Sequence, residues 1–134
     1  MTASPNEVTA LRSEQDVVVA RQVVRRIAQA LGFSLVDQTK IVTATSELAR
    51  NTVKHGLGGM MECEVVNSGA RTGVRLTFTD EGPGIPDINR ALTDGFTTGG
   101  GLGMGLSGAK RLVNEFEIAS TLGEGTRVTI VRWR

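Results

Sequence analysis

The stretch Asp80-Glu81-Gly82-Pro83-Gly84-Ile85-Pro86 (DEGPGIP, residues 80–86) follows directly on a strand-like run, Val74 to Thr79, and decides how the rest of the chain is read. An aspartate at a strand end can accept a hydrogen bond from an exocyclic amine such as the N6 group of adenine. Neighbouring glycines let backbone approach a flat base. The same composition is ordinary turn chemistry, so these residues alone do not make a site.

Upstream, a second strand-like run, Met61 to Val66, is joined to Val74–Thr79 by Asn67 to Gly73, a connection with the composition of a hairpin. Before it, a helix opens at Ser34, with Asp37 three residues on as a weaker relative of the capping box, and runs to His55, where Gly56 stops it. Its apolar side holds Ile41, Val42, Leu48, Ala49 and Val53. An earlier helix from Asp16 to the stop at Gly32 places Val19, Val23, Ile27, Ala30 and Leu31 at helical spacing. Residues 1–15 read as a loose polar leader with room for a closing strand, and 16–134 as one domain. On the second helix Glu47 and Asn51 lie four residues apart, about 40° around the axis, and so share a face. A carboxylate beside an amide suits magnesium phosphoryl transfer, because the amide oxygen is a hard neutral ligand and the carboxylate can accept a hydroxyl proton. A solvated helix edge would look the same.

Downstream, the chain holds seven of its 17 glycines between Gly95 and Gly108. Beyond a short helix near Ile88 to Thr93, Gly99-Gly100-Gly101-Leu102-Gly103-Met104-Gly105-Leu106 runs straight into a helix that ends near Phe116. Amides freed by glycine at a helix start suit phosphate oxygens. No Gly-Lys-Ser/Thr follows, so this is not a Walker loop. A loop precedes it where a dinucleotide fold has a strand, which weakens the Rossmann reading. A plain lid without ligand stays open. Two strand-like runs close the chain, Glu117 to Leu122 and Thr126 to Trp133, around Gly123-Glu124-Gly125, a hairpin turn by composition. The order helix, helix, hairpin, loop, helix, hairpin predicts an α+β fold, a two-layer sandwich with a mixed, mostly antiparallel sheet and helices on one face.

Composition narrows the function. A chain of 134 residues with 40% apolar content supports one core, and 15 basic against 14 acidic residues, net +1, give no field to attract nucleic acid or anionic lipid. No run approaches the roughly 20 apolar residues that span a bilayer. The single cysteine, Cys63, excludes an internal disulfide and fits a reducing compartment, so the expectation is a cytoplasmic protein with no membrane or nucleic-acid partner.

Taken in order, the motifs are similar to those of the GHKL superfamily, the ATPase and kinase group with the Bergerat nucleotide-binding fold. SELARNTVKHG resembles its N-box, DEGPGIP its G1 box, GGGLGMGL its G2 box and GEGT its later glycine-threonine element, over about residues 16–134. Within it, the short length, the N-box and the phrase DGFTTGGGLGMGL followed by GAKRLVNEF resemble the RsbT-type switch kinases of the bacterial stressosome. The resemblance implies ATP and Mg2+, with Asn51 binding the metal, Glu47 acting as general base and Asp80 reading adenine. It further implies that Gly82 and Gly84 form the pocket floor, that Gly101, Gly103 and Gly105 wrap the phosphates, that Thr126 supports the adenine through water, and that Ile85, Gly99, Gly100, Leu102 and Met104 also belong to the nucleotide-binding residues.

The implied activity is that of a serine/threonine kinase acting on a STAS-domain antagonist held in a stressosome scaffold, with a downstream regulator activated when the kinase is released. The alternative is a nucleotide-binding module that sequesters a partner, as related anti-sigma factors do. A histidine-kinase catalytic half fits less well, since this length leaves no room for a dimerisation and phosphoacceptor helix pair. His55, Lys54, Lys110 and Arg111 read as solvated helix residues, and Cys63 as core.

Overall fold

The computed structural model describes residues 2–3, 7–92 and 105–134. Its centre is an antiparallel hairpin of β3 (Gly59–Ser68) and β4 (Arg71–Asp80), longer at both ends than hydrophobic alternation suggests. Pairing continues to Ser68 and Arg71, so the connection shrinks to Gly69-Ala70, with Gly69 at φ 60°. The polar residues beyond the apolar run extend the ladder because they satisfy one another there, Thr72 Oγ1 donating to Asn67 Oδ1 at 3.0 Å. Around this hairpin β6 (Gly125–Trp133) pairs with β4, and β5 (Glu115–Thr121) with β6. The leader supplies β1 (Thr2–Ala3) and β2 (Glu7–Leu11), both on β3. Every pairing among the described residues is antiparallel, in the order β1-β3-β4-β6-β5 with β2 also against β3.

Registry puts Met61 opposite Phe78, Cys63 opposite Leu76, and Leu76 and Phe78 opposite Ile130 and Val128. These six buried side chains form one sheet face, and helices α1 (Glu14–Ala30), α2 (Leu35–Lys54) and α4 (Gly105–Arg111) join their core. The predicted sandwich with helices on one face is thereby realised. Helix α2 starts as read, Ser34 Oγ accepting from Asp37 N–H at 3.1 Å, and buries Ile41, Val42, Leu48 and Ala49. Helix α1 follows its reading in part: Val23, Ile27 and Leu31 pack against the core. The fully buried positions, however, are Val17, Ala20, Val24 and Ala28, while Val19 is 44% exposed, because the small Ala20 and Ala28 allow closer approach to α2 and centre the buried face on them. Helix α4 ends at Arg111. Phe116 belongs to β5, where pairing with Ile130 takes over from helical spacing, and Asn114 Oδ1 accepts from Trp133 N–H at 2.7 Å. A one-turn helix, α3 (Ile88–Ala91), stands where a short helix was expected.

The opposite face carries a smaller cluster of Val66, Val131 and Trp133, with the Arg71 guanidinium 4.2 Å from the indole centroid. Glu64 and Arg75 pair on that face at 2.6 Å.

One ion pair ties the start of α2 to the last strand. Arg132 Nη2 meets Asp37 Oδ1 at 2.6 Å, and Arg132 Nη1 donates to Leu112 O at 3.1 Å. The hydrogen bond from Arg132 holds the Asp37 carboxyl below its ordinary range. A depressed carboxyl stabilises the fold in full above its unfolded value, about 3.9, and that contribution is lost as pH falls through the folded-state value. Asp37→Asn is expected to cost about 1–2 kcal/mol near neutral pH. In urea titrations the gap to the unaltered protein should close as the pH is taken below about 4; a gap constant with pH would contradict the assignment.

Candidate functional site

Asp80 is the last residue of β4 and pairs across with Thr126 of β6. Its Oδ1 accepts from Gly82 N–H at 2.9 Å and from Thr126 N–H at 3.3 Å. Three glycine backbones pack closely around this corner of the fold. A Cβ on Gly56 would overlap the Asp80 side chain, one on Gly125 would overlap the Asp80 carbonyl oxygen, and one on Gly82 would lie 2.7 Å from the Gly56 Cα. Glycine at these places is required by close approach. Gly84 adds a left-handed backbone, φ 81°, and a missing Cβ that would meet Thr121 O at 2.6 Å.

The turn after Asp80 is pinned to the β5–β6 hairpin. Gly123 N–H donates to Pro83 O at 2.9 Å, and Ile85 N–H donates to Ser120 Oγ at 2.7 Å. Ser120 Oγ also lies 2.8 Å from Thr126 Oγ1 and 3.3 Å from Gly125 O. Two loops distant in sequence thus become one wall.

That wall closes one side of a cavity of about 530 Å³, within the size range of small-molecule sites. Leu48, Phe78, Ile85, Ala91, Leu106 and Val128 supply apolar surface suited to a flat ring, while Asn51, Asp80 and Thr126 supply polar atoms. Asn51 reaches the cavity because α2 lies across the sheet with Leu48 and Thr52 buried on either side of it in sequence. Thr52 Oγ1 bonds back to Leu48 O at 3.0 Å.

Of the residues singled out from the sequence, Asn51, Asp80, Gly84, Ile85, Gly105 and Thr126 line this cavity. Gly82 sits behind Asp80 in the turn. Glu47 does not line the cavity: it stands one turn earlier on α2, its carboxylate 3.5 Å from Arg50 Nη1. Gly99, Gly100, Gly101, Leu102, Gly103 and Met104 lie outside the described residues. Sequence reading missed Gly56 and Ser120. Gly56 looks like a helix stop, and only the packing of Asp80 shows its second task. Ser120 could be found by counting back across the Gly123-Glu124 turn, given the register in which it faces Thr126.

Among the described residues no three His, Cys, Asp or Glu side chains cluster as metal ligands. Cys63 is buried as read, and burial pushes its thiol up to about 12, which keeps it protonated. No helix of the described residues is long and apolar enough to cross a membrane.

The family model described as histidine kinase-, DNA gyrase B- and HSP90-like ATPase matches residues 36–134. The serine/threonine-protein kinase RsbT of Bacillus subtilis is 46% identical over 123 residues, 92% of each chain. An anti-sigma F factor of Thermoanaerobacter sp. is 32% identical over 95% of this chain and 92% of its own length. A solved structure of RsbU and RsbW domains from Mycobacterium tuberculosis shares the fold at 23% identity and a TM-score of 0.68, covering 98% of this chain and 33% of that one. These matches, with the Asp80 cavity and the ordered motifs around it, show that the chain belongs to the histidine kinase-, DNA gyrase B- and HSP90-like ATPase family, as the GHKL resemblance implied.

Proposed function

We propose that the protein is a serine/threonine protein kinase that uses Mg-ATP to phosphorylate a STAS-domain antagonist in a bacterial stressosome, and that works by partner switching in the cytoplasm. The observation that carries the reading is the cavity itself, where the polar groups of Asp80, Thr126 and Asn51 line an otherwise largely apolar space. The 46% identity with RsbT of Bacillus subtilis supports the protein-kinase class, and the anti-sigma F factors among the relatives support partner switching. The free, buried Cys63 suits the cytoplasm.

In this reading Asp80 accepts the exocyclic amine of adenine, with Gly82, Gly84 and Ile85 shaping the floor beneath the ring. Gly99, Gly100, Gly101, Leu102, Gly103, Met104 and Gly105 wrap the phosphates. Asn51 holds Mg2+, and the residues fit that ion: one hard neutral oxygen and no carboxylate cage among those described suit a cation that takes its remaining ligands from phosphate and water. When bound, the ion neutralises charge on the phosphate oxygens. Glu47 lies about 6 Å along the helix from Asn51 and takes the proton of the acceptor hydroxyl. The hydroxyl oxygen bonds to the γ-phosphorus as the bond from that phosphorus to the β,γ-bridging oxygen breaks, leaving ADP and a phosphoester. A STAS protein is the proposed substrate, a stressosome the scaffold that sequesters the kinase, and a downstream regulator its second partner. The sequestering alternative keeps the nucleotide and loses the transfer.

Labelled ATP and a purified STAS protein distinguish the two. An acid-stable phosphoester is expected; an acid-labile product, or none, would contradict the serine/threonine reading. Glu47→Ala is expected to bind ATP normally while transfer falls by roughly 10²–10⁴-fold, and transfer at the parental rate would remove Glu47 from its role. Asp80→Asn keeps an oxygen for Gly82 and Thr126 but can present an amine to the base. By calorimetry it should weaken ATP by about 100-fold while the melting temperature changes little.

A further inference from the structure

We propose that Arg132, which does not line the cavity, is a positioning residue for the nucleotide site: its guanidinium clamps the end of α4 to the start of α2 and so fixes the alignment of the two helices that supply the cavity's helical wall. The inference rests on the nucleotide reading above and adds to it a residue that acts at a distance.

Leu48, Asn51 and Thr52 reach the cavity from the second half of α2, and Gly105 and Leu106 from the first turn of α4. Helix α4 has seven residues, too few to stand by its own hydrogen bonds, so its place is set by what it packs against. It packs on α2 and buries Leu106, Ser107, Gly108 and Ala109. Three of those four are small. Apolar contact is non-directional, and a face of serine, glycine and alanine offers few ridges to lock into grooves. Burial therefore sets how near α4 lies to α2, and only weakly where it lies along its own axis.

A directional bond supplies that second coordinate. From β6, Arg132 Nη1 donates to Leu112 O at 3.1 Å, one residue past the end of α4, and Nη2 donates to Asp37 Oδ1 at 2.6 Å in the first turn of α2. Both nitrogens belong to one planar group, so the two bonds hold the helix ends relative to each other as well as to the sheet. Asn114 N–H, donating to Val131 O at 2.9 Å, ties the following chain to β6 but not to α2. Asp37 lies about 21 Å along α2 from Asn51, so the clamp grips the pair of helices well away from the ligand-binding end. Arg132 Nε and Gln38 Oε1 are buried without a protein partner among the described residues. Burying a guanidinium with one N–H unpaired is costly, so the clamp suits the fixing of geometry better than the adding of stability.

Calorimetry on the full chain with a non-hydrolysable ATP analogue and Mg2+ tests the proposal. Arg132→Lys keeps a cation for Asp37 but lacks the fork that reaches Leu112 O at the same time, and affinity should fall about tenfold. Amide hydrogen exchange should quicken more in α4 than in the β3–β4 hairpin. Val66→Ala, in the cluster on the opposite sheet face, is the control: it should lower the melting temperature and leave affinity unchanged. If the two variants lose affinity alike at a matched loss of melting temperature, Arg132 is merely stabilising and the proposal is overturned. Unchanged affinity in folded Arg132→Lys, or lost affinity with α4 exchange unaltered, overturns it as well. If Arg132→Lys does not fold, Asp37→Ala, which removes the other end of the clamp, carries the same expectation. Failure of the unaltered protein to bind the analogue would overturn the nucleotide reading itself, whereas an unchanged affinity on substitution removes Arg132 alone.

Discussion

The Asp80 carboxylate, packed against the Gly56 backbone and bonded to the Gly82 and Thr126 amides, is the constraint on which the rest of the site depends. A carboxylate held this closely needs donors, and two amides, one from the turn after β4 and one from β6, provide them. An unpartnered acceptor in that position would cost about 1–3 kcal/mol, more for a charge. The same contacts bring the end of α2, the turn after β4 and the β5–β6 hairpin together around one side chain. These polar bonds and the close glycine contacts act together with strand pairing and with Ile85, which packs against the core, to place the three segments.

From that junction the architecture follows outward. The antiparallel registry that stacks Leu76 on Ile130 and Phe78 on Val128 also places Asp80 opposite Thr126, so the sheet that makes the core also aligns the polar end of the cavity. Helix α2 contributes in the same way. Its buried residues, Ile41, Leu48 and Thr52 among them, press it onto the sheet, and Asn51 reaches the cavity as a consequence. Interior packing and ligand geometry are therefore coupled, and a core substitution beneath α2 would move Asn51 relative to Asp80.

Most of this was legible in the sequence where a local rule acts alone. The Ser34 cap, the Gly56 stop, the alternation of Met61 to Val66 and the extents of α1 and α2 are short-range matters, and each lies close to its reading. Where two rules compete, the reading drifted. Phe116 satisfied a helical spacing but was claimed by strand pairing with Ile130. Val19 lies at the edge of the apolar face of α1 and stays exposed, while Val17 and Val24, beside Val23 and Ile27, enter the core. The seven residues Asn67 to Gly73 looked like a loop because they are polar, yet five of them belong to strands β3 and β4. Asn51, Asp80 and Thr126 were recognisable as a set only by their order, since each alone is ordinary. Ser120 carries no local signal, and its place emerges from the register that brings it to Thr126.

A crystal structure of the protein with a non-hydrolysable ATP analogue and Mg2+ tests this account most directly. The account predicts the adenine ring in the slot between Leu48, Phe78 and Ile85, with its exocyclic amine about 2.9 Å from Asp80 Oδ2. A base seated elsewhere, with the Asp80 carboxylate turned to solvent or occupied wholly by protein donors, would contradict it.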